Sequence, residues 1–99
     1  MVKHVVILKL KEGITSEQTD AVLTGLQALQ DKLEGIIDVT GGTNNSPEGK
    51  SNGYGWGFVM TFSDETSRDA YLPHPEHQAV SAEFIRPIVE DVLVFDYST

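Results

Sequence analysis

The sequence predicts an α+β fold in which one antiparallel sheet is covered on one side by helices. Three observations predict it. Residues 2–11 and 54–62 alternate large apolar side chains with small or polar ones at the period of a strand. Residues 15–33 repeat apolar side chains at three- and four-residue spacing, the period of an amphipathic helix. The segments then follow one another as strand, helix, strand, strand, two-part helix, strand, so two β-α-β-like halves meet at a central hairpin. That order is the ferredoxin-like plan.

In the first strand, residues 2–11, His4, Val6, Leu8 and Leu10 share one face, and Lys3, Val5, Ile7, Lys9 and Lys11 share the other. The even face is the more apolar, so it is expected to meet the helices and to carry His4 with it. Thr15-Ser16-Glu17-Gln18 reads as a capping box that starts the first helix. Val22, Leu26, Leu29 and Leu33 form its stripe over roughly five turns, Gly25 allows close packing beside it, and Gly35 supplies a left-handed stop.

Residues 36–43 form the second strand, where Gly41-Gly42 predicts a bulge or bend. Residues 44–53, built from Asn, Ser, Pro, Glu, Gly and Lys, form a surface loop. In the third strand, Tyr54, Trp56, Phe58, Met60 and Phe62 are expected on the core face and Gly55, Gly57, Val59 and Thr61 on the other. A face that small lets another backbone approach closely, as a sheet-to-sheet contact between subunits requires.

Ser63 or Asp64 caps the next helix, which ends at Leu72 because the residue before Pro73 is pushed out of helical geometry. Pro75 suits a first helical position, so His74 precedes a second helical piece running to about Ile85, ended by Arg86-Pro87. The last strand, from Val89 or Asp91 to Tyr97, sets Leu93, Phe95 and Tyr97 against Val92, Val94 and Asp96.

Ninety-nine residues make a single domain, 1–99, small enough that burial against a partner would help it. Without cysteine there is no disulfide framework, thiolate nucleophile or Cys-type zinc site, and a cytoplasmic setting is expected. The apolar run near the N-terminus is too short for a signal or a membrane span. A net charge of −8 repels phosphate backbones, which argues against nucleic acid as a partner. Asn44-Asn45-Ser46 matches a glycosylation pattern, but Pro47 follows it and a cytoplasmic chain would not meet the modifying enzymes.

Chemistry concentrates in residues 70–77, which hold two of the three histidines, a tyrosine and two prolines. His77 falls in the first turn of its helix, where the partial positive charge disfavours the imidazolium and leaves a neutral general base. Tyr71 precedes the Pro73 break and is placed to donate to a developing oxyanion. His4 enters from the facing strand, the pocket walls are expected from Leu26, Trp56, Phe58 and Met60, and Asp96 is an acid able to orient a polar group. Each has a plainer reading as a core or turn residue. A metal reading of His74, Glu76 and His77 lacks a third strong ligand by spacing, so neither metal nor cofactor is expected.

Lys3 to Lys11, Tyr54 to Phe62, Tyr71-Leu72-Pro73-His74-Pro75-Glu76-His77 and Val94-Phe95-Asp96-Tyr97 together resemble the stress-responsive dimeric A/B barrel (Dabb) family across nearly the whole chain. The resemblance implies a ferredoxin-like protomer whose sheet packs on that of a second copy to form a dimeric α/β barrel. Val5, Ile7, Gly55, Gly57 and Val59 would lie in that contact.

The family's best-defined enzyme is the plant polyketide cyclase that makes olivetolic acid by an intramolecular aldol condensation. Its strand-one histidine, its tyrosine and the second histidine of its His-Pro-x-His element match His4, Tyr71 and His77; where it has a further pocket tyrosine and histidine, this chain has Leu26 and Trp56. The resemblance therefore implies a pocket for a small aromatic or carbonyl-containing metabolite. In it His77 removes an acidic α-proton, Tyr71 stabilises the enolate and His4 fixes the ligand or the tyrosine. Two alternatives stand beside this reading: a non-catalytic stress-associated interaction protein, and a cofactor-independent monooxygenase acting on an electron-rich aromatic, as in related dimeric barrels.

Overall fold

The computed structural model describes residues 1–99. Its elements are β1 (Val2–Leu10), α1 (Ser16–Leu29), β2 (Ile36–Thr43), β3 (Tyr54–Phe62), α2 (Glu65–Tyr71), α3 (Pro75–Val80), a π-turn (Ser81–Ile85), a 3-10 turn (Arg86–Ile88) and β4 (Val89–Ser98). The four strands make one antiparallel sheet in the order β2-β3-β1-β4. This is the ferredoxin-like α+β fold, with β1 central because both β3 and β4 pair with it.

The helices cover one face of that sheet. Leu8, Met60 and Phe62 from the strands and Val22, Leu26 and Leu29 from α1 are essentially removed from water and form the core. The even face of β1 is buried as its alternation predicts, with His4 only 5% exposed among apolar neighbours. The opposite face has no helix over it. Leu93, Phe95 and Tyr97 of β4 stand exposed there, and Phe95 retains 66% of its surface.

Local signals account for the helix starts. Thr15 and Gln18 close the capping box from both sides, Asp64 caps α2 by accepting from the Ser67 amide at 2.8 Å, and His74 caps α3 by accepting from the Glu76 amide at 3.1 Å.

Four details differ from the sequence reading. First, α1 ends at Leu29, and a tight turn carries Leu33 back against the core before Gly35 takes its left-handed φ of +88°. Second, the irregularity in β2 lies between Ile36 and Asp38 and not at Gly41-Gly42, which stay paired with Phe58 and Gly57. Third, a register slip beside Gly55 makes Tyr54 the partner of Lys9. Tyr54 thus leaves the core face it was expected to share with Trp56 and donates its hydroxyl to Asp91. Fourth, the helical piece expected to reach Ile85 is α-helical only to Val80 and continues as the π-turn.

Candidate active site

Strand alternation sets the floor of the site. In register, His4 faces Asp96, Val6 faces Val94 and Leu8 faces Val92, so these side chains project from the helix side of β1 and β4. Helix α1 packs over β2, leaving the β4 end of that face to α2, α3 and the turns after them. Between them lies a cavity of about 290 Å³, walled by Val6, Phe58, Ile85, Val89, Val92 and Val94 and reached by the polar side chains of His4, Tyr71, His77, Arg86 and Asp96.

Both histidines of the cavity are fixed through the same ring atom. His77 Nδ1 lies 2.9 Å from the Leu72 carbonyl, which can only accept, so Nδ1 carries the proton and Nε2 of the neutral ring is a lone pair. His4 Nδ1 lies 2.8 Å from Asp96 Oδ1, and a carboxylate there holds the ring in the same tautomer. Neither Nε2 has a protein partner, and since no polar side-chain atom is both fully buried and unpaired, neither is sealed from solvent; both rings line the cavity. The second oxygen of Asp96 accepts from Arg68 at 2.7 Å, and Arg68 Nε donates in turn to Asp69 at 2.8 Å. His4 thus ends a braced chain of alternating charge.

Tyr71 is 3% exposed, its ring stacked on His77 at 4.1 Å and 24°, tilted against Phe62 at 5.1 Å and edge-on to His4 at 6.2 Å. Burial pushes the phenol well above its ordinary range, so it stays a neutral donor. His77, half-buried, titrates below its ordinary value. Burial is the main cause, the hydrogen bond to Leu72 opposes it, and the proximity of His4 adds to it. The sequence reading traced that lowering to the helix N-terminus; α3 has only six residues, and desolvation leads.

Of the side chains expected around the pocket, His4, Phe58, Tyr71, His77 and Asp96 meet at this cavity. Leu26, Met60 and Trp56 lie elsewhere: Leu26 and Met60 are fully buried in the core under α1, and Trp56 lines a separate recess with Leu10 and Ile14. His74, Glu76 and His77 are turned to different partners, the Glu76 amide, Lys32 and the Leu72 carbonyl.

The sequence reading did not single out Arg68, Arg86, Val92 or Val94 for the site. Val92 and Val94 carried a usable signal, since alternation places them on the face of Asp96. Arg68 sits three residues before Tyr71 on one helix, spacing that puts both on the same side. In the sequence, Arg86 signals only a helix stop with Pro87.

A four-stranded antiparallel sheet covered on one face by helices, with an apolar cavity between them, is the ferredoxin-like class of α+β protein. The chain is a member of the stress responsive A/B barrel domain family, Dabb, whose sequence model matches residues 2–99. It is 29% identical over 97 residues to the olivetolic acid cyclase of Cannabis sativa, covering 98% of this chain and 95% of that one. The crystal structure of At3g17210 from Arabidopsis thaliana superposes with a TM-score of 0.90 at 28% identity, covering 100% of this chain and 95% of that one. A dimeric ferredoxin-like protein of unknown function from Jannaschia sp. CCS1 gives 0.79 at 28% identity, covering 99% and 98%.

Proposed function

We propose that the protein is a homodimer with one ligand pocket per subunit, and that the pocket binds a small aromatic or carbonyl-containing metabolite and performs acid–base chemistry on it. One observation carries the reading: two imidazoles with unpartnered Nε2 atoms and a buried neutral phenol line one mostly apolar cavity. In this mechanism His77 Nε2 takes a proton from the carbon next to a substrate carbonyl. The electron pair moves onto the carbonyl oxygen, where the Tyr71 hydroxyl donates to it, while His4, held by Asp96, fixes the substrate. The olivetolic acid cyclase, at 29% identity over nearly the whole chain, supports chemistry of this class.

For the dimer, the support is the uncovered apolar sheet face, which includes Val5, Ile7, Gly55, Gly57 and Val59, together with the dimeric state described for the Jannaschia protein.

Proton removal is measurable without knowing the natural product. In D2O, a panel of β-dicarbonyl and aryl ketone compounds is followed by NMR for exchange of the α-hydrogen. The protein should accelerate exchange of at least one compound, and His77→Ala should lower that rate by roughly 100-fold or more. Equal acceleration by both proteins, or none by either, overturns the mechanism.

A further inference from the structure

We propose that Arg86 makes the cavity selective for an anionic ligand, a small carbonyl or aromatic compound bearing a carboxylate; the inference rests on the pocket reading above and names its substrate class. The argument begins with charge. The chain carries a net charge of −8, and only two of its residues are arginines. Arg68 is spent on Asp69 and Asp96. Arg86 lines the cavity and pairs with no carboxylate at all. In a protein with fifteen acidic side chains, this unneutralised guanidinium is the one full positive charge among the cavity's lining residues.

Arg86 is exposed, but its neighbours hold it in place. The π-turn Ser81–Ile85 ends directly at Arg86, and such turns are frequent at functional sites. Arg86 NH2 then donates to Gln78 Oε1 at 2.9 Å, and Gln78 Nε2 donates to the Leu72 carbonyl at 2.9 Å. That carbonyl is the one that orients His77. The guanidinium and the proposed base are therefore tied to a single backbone atom through one glutamine. This leaves most of the fork of donors on Arg86 unused, and a fork of that shape matches a carboxylate in bidentate geometry. The rest of the lining offers an anion little competition, because both oxygens of Asp96 are already engaged by His4 and Arg68.

Matched pairs of probes test this. Benzoate and 3-oxobutanoate are titrated against benzamide and 3-oxobutanamide, with the ring C–H resonances of His4 and His77 as the readout, for the wild type, Arg86→Gln and Arg86→Lys. In the wild type, carboxylates should bind several-fold more tightly than their amides, with a preference that shrinks as salt rises. Arg86→Gln should reduce the carboxylate-to-amide ratio by roughly tenfold, and Arg86→Lys should restore part of it, since charge survives but the fork does not. The ratio is insensitive to any general loosening of the fold, which would weaken both members of a pair.

Equal affinity for acid and amide in the wild type overturns the inference while leaving the pocket reading intact. So does a preference that survives in Arg86→Gln. If no probe of either class moves the histidine resonances, the inference and the pocket reading fall together.

Discussion

Desolvation of the His77 ring ties its chemistry to the stability of the fold. In the unfolded chain this imidazole titrates near its ordinary value of 6.5, while in the folded protein burial holds it lower. Between those two points the unfolded state binds more protons than the folded one, so the free energy of unfolding falls as pH falls from about 6.5 toward the folded value. Above about 6.5 both states are neutral and the contribution vanishes. Urea unfolding of the wild type and His77→Gln across this range is therefore expected to give converging curves as the medium becomes acid, because glutamine can still donate to the Leu72 carbonyl but takes up no proton. Parallel curves would show that the ring is not desolvated. Asp96 engages Nδ1 of His4 while Arg68 occupies its other oxygen, so it orients the ring as part of a balanced pair and not as a lone buried charge.

At the level of elements, the starts of helices were legible because they are written in three or four adjacent residues. Thr15 with Gln18, Asp64 with Ser67 and His74 before Pro75 each satisfy orphan amides locally. The irregular places were not legible, because tertiary pairing sets them. Tyr54 crosses to the open face through a slip in the pairing of β3 with β1, and nothing in its own alternation announces this. The π-turn widens the helix between Val80 and Arg86, where periodicity alone continues it. Alternation also told which sheet face each site residue would occupy but not which end of that face the cavity would take. Leu26, Trp56 and Met60 share the helix side with His4, yet α1 fills their end and the cavity opens over β4. The glycine pair of β2 shows the same distinction between type and place. A Cβ on Gly41 would fall 2.8 Å from the Gly57 carbonyl oxygen and 2.9 Å from Phe58 Cβ, whereas one on Gly42 would meet nothing within 4 Å. Gly41→Ala should therefore cost about 1–3 kcal/mol in urea unfolding as the two strands are forced apart, and Gly42→Ala should change stability by less than about 0.5 kcal/mol. Equal effects of the two substitutions would mean that the approach of β2 to β3 is not close at Gly41.

The whole protomer leaves an imbalance that a second copy would correct. One sheet face is covered by helices and the other carries Leu93, Phe95 and Tyr97 at 49%, 66% and 47% exposure, a row of large side chains along β4. On the same face, across β1, lies a hollow of about 380 Å³ over Thr40, Gly41, Gly57 and Val59, where small residues of β2 and β3 leave the backbone low. A ridge and a groove on one surface would be self-complementary under a two-fold axis, with the β4 ridge of each copy set against the other's β2–β3 hollow. Tyr54, brought to this face by the slip beside Gly55, pairs there with Asp91, which β4 alternation places on the same face, and the two need no partner from the second chain. The expected species in sedimentation at micromolar concentration is thus a dimer. Phe95→Asp places a charge at the centre of the ridge, on the sheet face opposite the cavity, and should raise the dissociation constant by well over tenfold while the far-ultraviolet spectrum stays that of a folded chain. A wild type that sediments as a folded monomer at that concentration would mean that the ridge and hollow do not engage, and would leave the small residues of β3 without the role given to them.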